Sequence, residues 1–100
     1  MTTTSFEGLQ VMLFVSAQRG DDEEVERLLS FRADLVDCIN SDGYTALHVA
    51  AYHNRGVVCA LLLRRGAVVN AGQLGTGRSS LMLAAHRGHI SMCEMLLNSG

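Results

Sequence analysis

Three clusters in this sequence have residue types that could do chemistry. The first is Gly72-Gln73-Leu74-Gly75-Thr76-Gly77-Arg78-Ser79. Two glycines five apart, then a base and a hydroxyl, approach a phosphate-binding loop, and a helix start behind it would aim N–H groups at an anion. That chemistry would be nucleotide binding. Arg78, however, stands where such a loop needs lysine to reach the outer phosphates. The preceding Ala67-Val68-Val69-Asn70 is too short for the strand of a parallel sheet, and no acidic magnesium ligand is placed downstream. The second cluster is His86 and His89 with His48, His53, Cys59 and Cys93. Zinc needs four converging nitrogen or sulfur ligands, and neither CxxC nor HxxxH is present. The third is Ser79 and Ser80 beside His86, the only serines with a nearby base for nucleophilic work. Each cluster has a plainer structural reading: a glycine-rich hairpin, cysteines packed as small hydrophobes, and a serine that caps a helix. The sequence therefore predicts no enzyme, no cofactor and no metal, and nucleotide binding through residues 72–79 is the remote alternative.

Those residues must sit on something. One hundred residues with 48% apolar content make a single small domain with a thin core. There is no proline or tryptophan, and aromatics are 5%, so the apolar mass is aliphatic and suits helix-on-helix packing. Few rings are available to stack bases, which argues against single-strand nucleic-acid binding. Net charge is −2 but uneven. Residues 1–44 carry nine acids against three arginines (−6), and residues 45–100 carry five arginines against Glu94 (+4). Three cysteines are an odd number without the density of a secreted disulfide framework. The opening MTTTSFEG has neither basic residues nor a long apolar core, and no run approaches membrane-spanning length. The expectation is an intracellular protein, cytoplasmic or nuclear, with no membrane and no nucleic-acid partner.

Comparing the chain with itself at a shift of 34 residues aligns it without a gap. Leu13/Leu47, Val15/Val49, Ala17/Ala51, Leu28/Leu62, Leu29/Leu63 and Ala33/Ala67 match between the first and second repeats. Gly43/Gly77, Leu47/Leu81, Ala50/Ala84, Ala51/Ala85, Cys59/Cys93, Leu62/Leu96, Leu63/Leu97 and Gly66/Gly100 match between the second and third. The fullest unit runs from Asp42 to Asn70: a turn at Gly43-Tyr44, a helix capped by Thr45, a left-handed stop at Asn54, and a second helix closed by Gly66. Neither helix is long enough to be stable alone, so each unit must stack on its neighbours. In the first repeat, Asp21 with Glu24 reads as a capping box, and the acids from Asp21 to Glu26 read as the polar outer face of a terminal repeat.

Thr45-Ala46-Leu47-His48-Val49-Ala50-Ala51, followed by Leu61 to Ala67 and Asn70-Ala71, resembles an ankyrin repeat. Ser79 to His89 with Leu96 to Gly100 resembles a second, and Leu13 to Ala33 a degenerate first. The resemblance implies an all-α ankyrin-repeat solenoid: one domain over residues 1–100, with repeats at about 8–40, 41–73 and 74–100, the last one truncated. It departs from the family in lacking the proline before the leucine, where Met12, Ala46 and Ser80 stand, and in keeping the histidine only at His48. It implies a protein–protein interaction module whose contacts lie on hairpin tips and the exposed ends of first helices. Here those positions are Ser41, Asp42, Tyr44, Tyr52, His53, Thr76, Arg78, His86 and Arg87, with Gln18 and Arg19 in the first repeat. Their aromatic and basic character predicts a protein partner with an acidic segment. The resemblance also makes Asn70 a candidate for hydroxylation. The apolar last helix (Ile90, Met92, Cys93, Met95, Leu96, Leu97) suggests self-association or further repeats after Gly100, and hence an oligomerising scaffold as the alternative function.

Overall fold

The computed structural model describes residues 5–100; the reading of the first four residues as no part of a leader lies outside them. Six α-helices follow one another: α1 Phe6–Arg19, α2 Asp22–Phe31, α3 Ala46–Tyr52, α4 Gly56–Arg64, α5 Ser80–His86 and α6 Ile90–Ser99, with a 3-10 turn at Ala33–Asp37 after α2. They pair as α1/α2, α3/α4 and α5/α6, and the pairs stack into a body of 45 × 28 × 20 Å. The fold is the all-α repeat architecture that the sequence predicts.

Local chemistry sets the boundaries. Thr45 Oγ1 accepts from the His48 N–H, and Ser79 Oγ accepts from the Met82 N–H, at the starts of α3 and α5. Asn54 takes a left-handed φ of 59° and turns the chain between α3 and α4. The core then forms from one stripe on each helix. Leu13, Ala17, Val25, Leu29, Leu47, Ala50, Leu62 and Met92 are all buried in it. Truncating a leucine in such a core costs about 2–5 kcal/mol, a large share of a small domain's stability.

The first repeat differs from its expected form in three ways. Where the second and third repeats carry a hairpin, it is helical: α1 begins at Phe6, capped by Ser5, whose Oγ accepts from the Gly8 N–H at 3.0 Å. Asp21 caps α2 through the Glu24 N–H at 3.2 Å, but the capping box is not completed. The Asp21 N–H that the box would use donates to the Ser16 carbonyl at 2.9 Å, and the Glu24 carboxylate pairs with Arg27 one turn on. The polar outer face is confined to α2; on α1, Val11, Met12 and Val15 are exposed.

Candidate partner-binding groove

α3 and α5 present their C-terminal ends to one side, and the Asn40–Thr45 hairpin rises beside them. The hairpin is built by Asn40, whose side-chain oxygen accepts from the Asp42 N–H (2.9 Å) and the Tyr44 N–H (3.0 Å). At its tip Gly43 has φ +81°, and its Leu74 neighbour would lie 2.7 Å from any added Cβ. The glycine is therefore required both by the turn and by the close approach of the next hairpin. The two hairpins join where the Leu74 N–H donates to the Gly43 carbonyl at 3.1 Å, and Gln73 donates its side-chain amide to the Asp42 carbonyl.

His48 locks this arrangement from within. It is fully buried. Its Nδ1 accepts from the Thr45 N–H at 3.1 Å, completing a capping box, and its Nε2–H donates to the Arg78 carbonyl of the next repeat at 2.8 Å. A carbonyl can only accept, so the proton sits on Nε2 and the ring is neutral. Burial pushes its pKa down, against the raising effect of the hydrogen bonds to the Arg78 and Ala71 backbone.

The result is a concavity of about 460 Å³ lined by Gln18, Asn40, Tyr44, His48, Val49, Tyr52, His53, Arg78, Leu83 and His86. It brings together six sequence candidates: Gln18, Tyr44, Tyr52, His53, Arg78 and His86. Arg87 adjoins them, its guanidinium 4.5 Å from the centre of the Tyr52 ring. Tyr52 also meets His53 edge-on at 5.1 Å. His53 is half-buried, and its pKa is pushed down by that burial and by the nearby guanidinium groups of Arg55 and Arg87. Ser41, Asp42 and Thr76 are exposed on the hairpins, outside the groove lining, and so is Arg19 on α1. Thr76 is tied to Gln73, whose Oε1 accepts from both its N–H and its hydroxyl at 2.7 Å. Asn40, Val49 and Leu83 line the groove without having been singled out in the sequence. Asn40 stands two residues ahead of Asp42 at the hairpin start, which is the signal that could have found it.

The other chemical clusters resolve into structure. In the 72–79 loop the Gln73 N–H donates to the Arg78 carbonyl and the Gly77 N–H to the Gln73 carbonyl, both at 2.8 Å. N–H groups that would cradle a phosphate are thus occupied within the loop. His89 donates from Nε2 to the Tyr52 carbonyl at 3.0 Å, fastening the third repeat to the second. Cys59 is fully buried, and burial alone pushes its thiol up to about 11. Among the described residues no three His, Cys, Asp or Glu side chains converge to hold a metal, and no helix is long and apolar enough to cross a membrane.

The chain is similar to several curated proteins. It is 36% identical over 91 residues to the mouse (Mus musculus) nuclear factor NF-kappa-B p105 subunit, which covers 89% of this chain and 9% of that protein. It is 32% identical over 111 residues to the ankyrin repeat and SAM domain-containing protein 6 of Danio rerio, covering 89% of this chain and 15% of that one. It is 42% identical over 74 residues to the palmitoyltransferase AKR1 of Yarrowia lipolytica, covering 72% of this chain and 10% of that enzyme, within the enzyme's ankyrin region. The chain thus spans only a small part of the relatives it matches. The sequence profile described as ankyrin repeats (3 copies) matches residues 13–100. With its helix pairs, capped starts and stacked hairpins, the chain belongs to the ankyrin-repeat family, whose repeats are protein–protein interaction modules.

Proposed function

We propose that this chain binds a protein partner through an acidic segment laid in the groove between the hairpins and the ends of α3 and α5, and that it has no catalysis of its own. The observation that carries the reading is the groove's lining: Tyr44, Tyr52, His53, His86 and Arg78 with no carboxylate among them, and Arg87 stacked alongside. Tyrosine and arginine held in place by neighbours lose little entropy on binding and dominate interface energies. The repeats are taken as about 8–40, 41–73 and 74–100. An intracellular setting fits the three free cysteines and the name of the nuclear factor among the relatives. The exposed Ile90 and Leu97 of α6 support a second reading, a scaffold that associates through that end.

The test of the groove uses acidic peptides selected from a display library against the whole chain. The double variant Tyr52→Ala/Arg87→Glu should weaken the best of them at least about tenfold, and added salt should weaken the unaltered protein's binding. Unchanged affinity in the double variant would move the site elsewhere.

A further inference from the structure

The turns inside the helix pairs stack in register. Arg55 Nε–H donates to the Gln18 carbonyl at 2.8 Å, and His89, 34 positions later, donates from Nε2 to the Tyr52 carbonyl at 3.0 Å. This register lays corresponding residues side by side along the flank of the stack. One row is Asp21, Arg55 and His89, and the fold uses all of it: Asp21 caps α2, and the other two make the turn-to-turn bonds. The row two residues earlier is Arg19, His53 and Arg87. Arg19 and Arg87 are exposed, and His53 is half-buried.

Among the described residues, no salt bridge takes up any of the three. Arg87 is held against the Tyr52 ring, its guanidinium 4.5 Å from the ring centre and its Nη1 donating to the Tyr52 hydroxyl at 3.4 Å. Tyr52, His53 and His86 line the groove, so the basic row runs along the groove's edge and continues past it to Arg19. Packed helices lie about 8–10 Å apart, which sets the step along the row. A polyproline-II segment turns once in about three residues and rises about 3.1 Å per residue, so every third side chain points the same way about 9 Å further on. A β-strand repeats its face every about 7 Å and an α-helix every about 5–6 Å, and neither matches that step.

We propose that the groove's partner is an acidic segment in the polyproline-II conformation with a carboxylate at every third residue, laid along the stack so that successive carboxylates meet Arg19, His53 and Arg87. The two guanidinium groups pair with the outer carboxylates, and the His53 ring donates a hydrogen bond to the middle one. The proposal rests on the groove reading and adds the partner's conformation, direction and charge spacing. Arg19 separates the two, because it lies outside the groove lining.

The experiment measures binding of labelled peptides to the full chain by fluorescence anisotropy at low salt. One peptide repeats Glu-Pro-Ala; its isomers have the same residues with the glutamates consecutive or at alternate positions. The Glu-Pro-Ala peptide should bind about tenfold tighter than either isomer. Arg19→Glu should weaken it about tenfold, and His53→Ala about threefold. Circular dichroism establishes that the variants are folded; Arg19→Gln, with a smaller expected loss, replaces Arg19→Glu if that one is not. Equal binding of the isomers overturns the proposal, as does an Arg19→Glu variant that binds unchanged, and as does a failure of every peptide to bind. Where any of these comes with library-selected peptides still weakened by Tyr52→Ala/Arg87→Glu, the groove reading stands and the row falls. Where that double variant also has no effect, both fall.

Discussion

The two junctions inside this stack are held by different means. Between the first and second repeats the ties lie mainly on the side of the outer helices. Arg65 pairs with Glu26 and donates to Ser30 Oγ at 2.9 Å, and the Val68 N–H donates to Asp37 at 3.1 Å. Between the second and third they lie on the hairpin side, through His48 to Arg78, Leu74 to Gly43 and Gln73 to Asp42. The cause is α1. Because it stays helical back to Phe6, the first repeat has no hairpin to offer, and its polar contacts move to where α2 and α4 run side by side. The third repeat has the hairpin but lacks the ion pair, since Ala60 and Ser99 stand 34 residues beyond Glu26 and Arg65. Neutral hydrogen bonds, the central one made by the buried His48 ring, thus fasten one junction and partly exposed charges the other, and the two should respond differently to the same perturbations.

The largest effect is expected from His48→Ala. It strands the Thr45 N–H and the Arg78 carbonyl and leaves a cavity, which together cost about 2–4 kcal/mol in denaturant unfolding. Met82→Ala, at the same register one repeat later, should stay within about 0.5 kcal/mol. Equal losses would mean that His48 acts only as packing.

Acid should weaken the second junction next. His48 and His53 both have folded pKa values below the ordinary 6.5. The unfolded chain therefore takes up their protons first. Their contribution is complete above about 6.5 and is lost as pH falls through that value toward the lower folded pKa values. Thermal melts between pH 7.5 and 5 should show a falling Tm, and the fall should be shallower in His48→Ala. A slope unaltered by that substitution would assign the acid sensitivity to other groups.

The smallest effect belongs to the first junction. Arg65→Ala removes a pair of which both partners are partly exposed, so it should cost no more than about 1 kcal/mol, and less in high salt. A salt-independent loss would show that the Arg65 stem packs more than it pairs.

Much of this was legible before any coordinates. The 34-residue period, the caps at Thr45 and Ser79 and the left-handed Asn54 depend on residue type and near neighbours. The grouping of Tyr44, Tyr52, His53, Arg78 and His86 is what the ankyrin resemblance implies, since it assigns them to hairpin tips and first-helix ends. The start of α1 was legible but unread: Ser5 followed by Phe6, Leu9 and Leu13 is a cap ahead of a helical apolar stripe. The capping box at Asp21 stayed open because the turn after α1 gives the Asp21 N–H to the Ser16 carbonyl, leaving Glu24 to Arg27, which the box's spacing alone does not reveal.

By itself, then, the sequence determined what recurs: helix lengths, caps, turns and the apolar stripes that oblige each pair to stack. The tertiary structure alone decided what joins one repeat to the next. Those contacts link residues some 30 to 40 positions apart, such as His48 with Arg78 and Arg65 with Glu26. They depend on which side chain the stacking brings within bonding distance, and nothing near either partner in the chain encodes that.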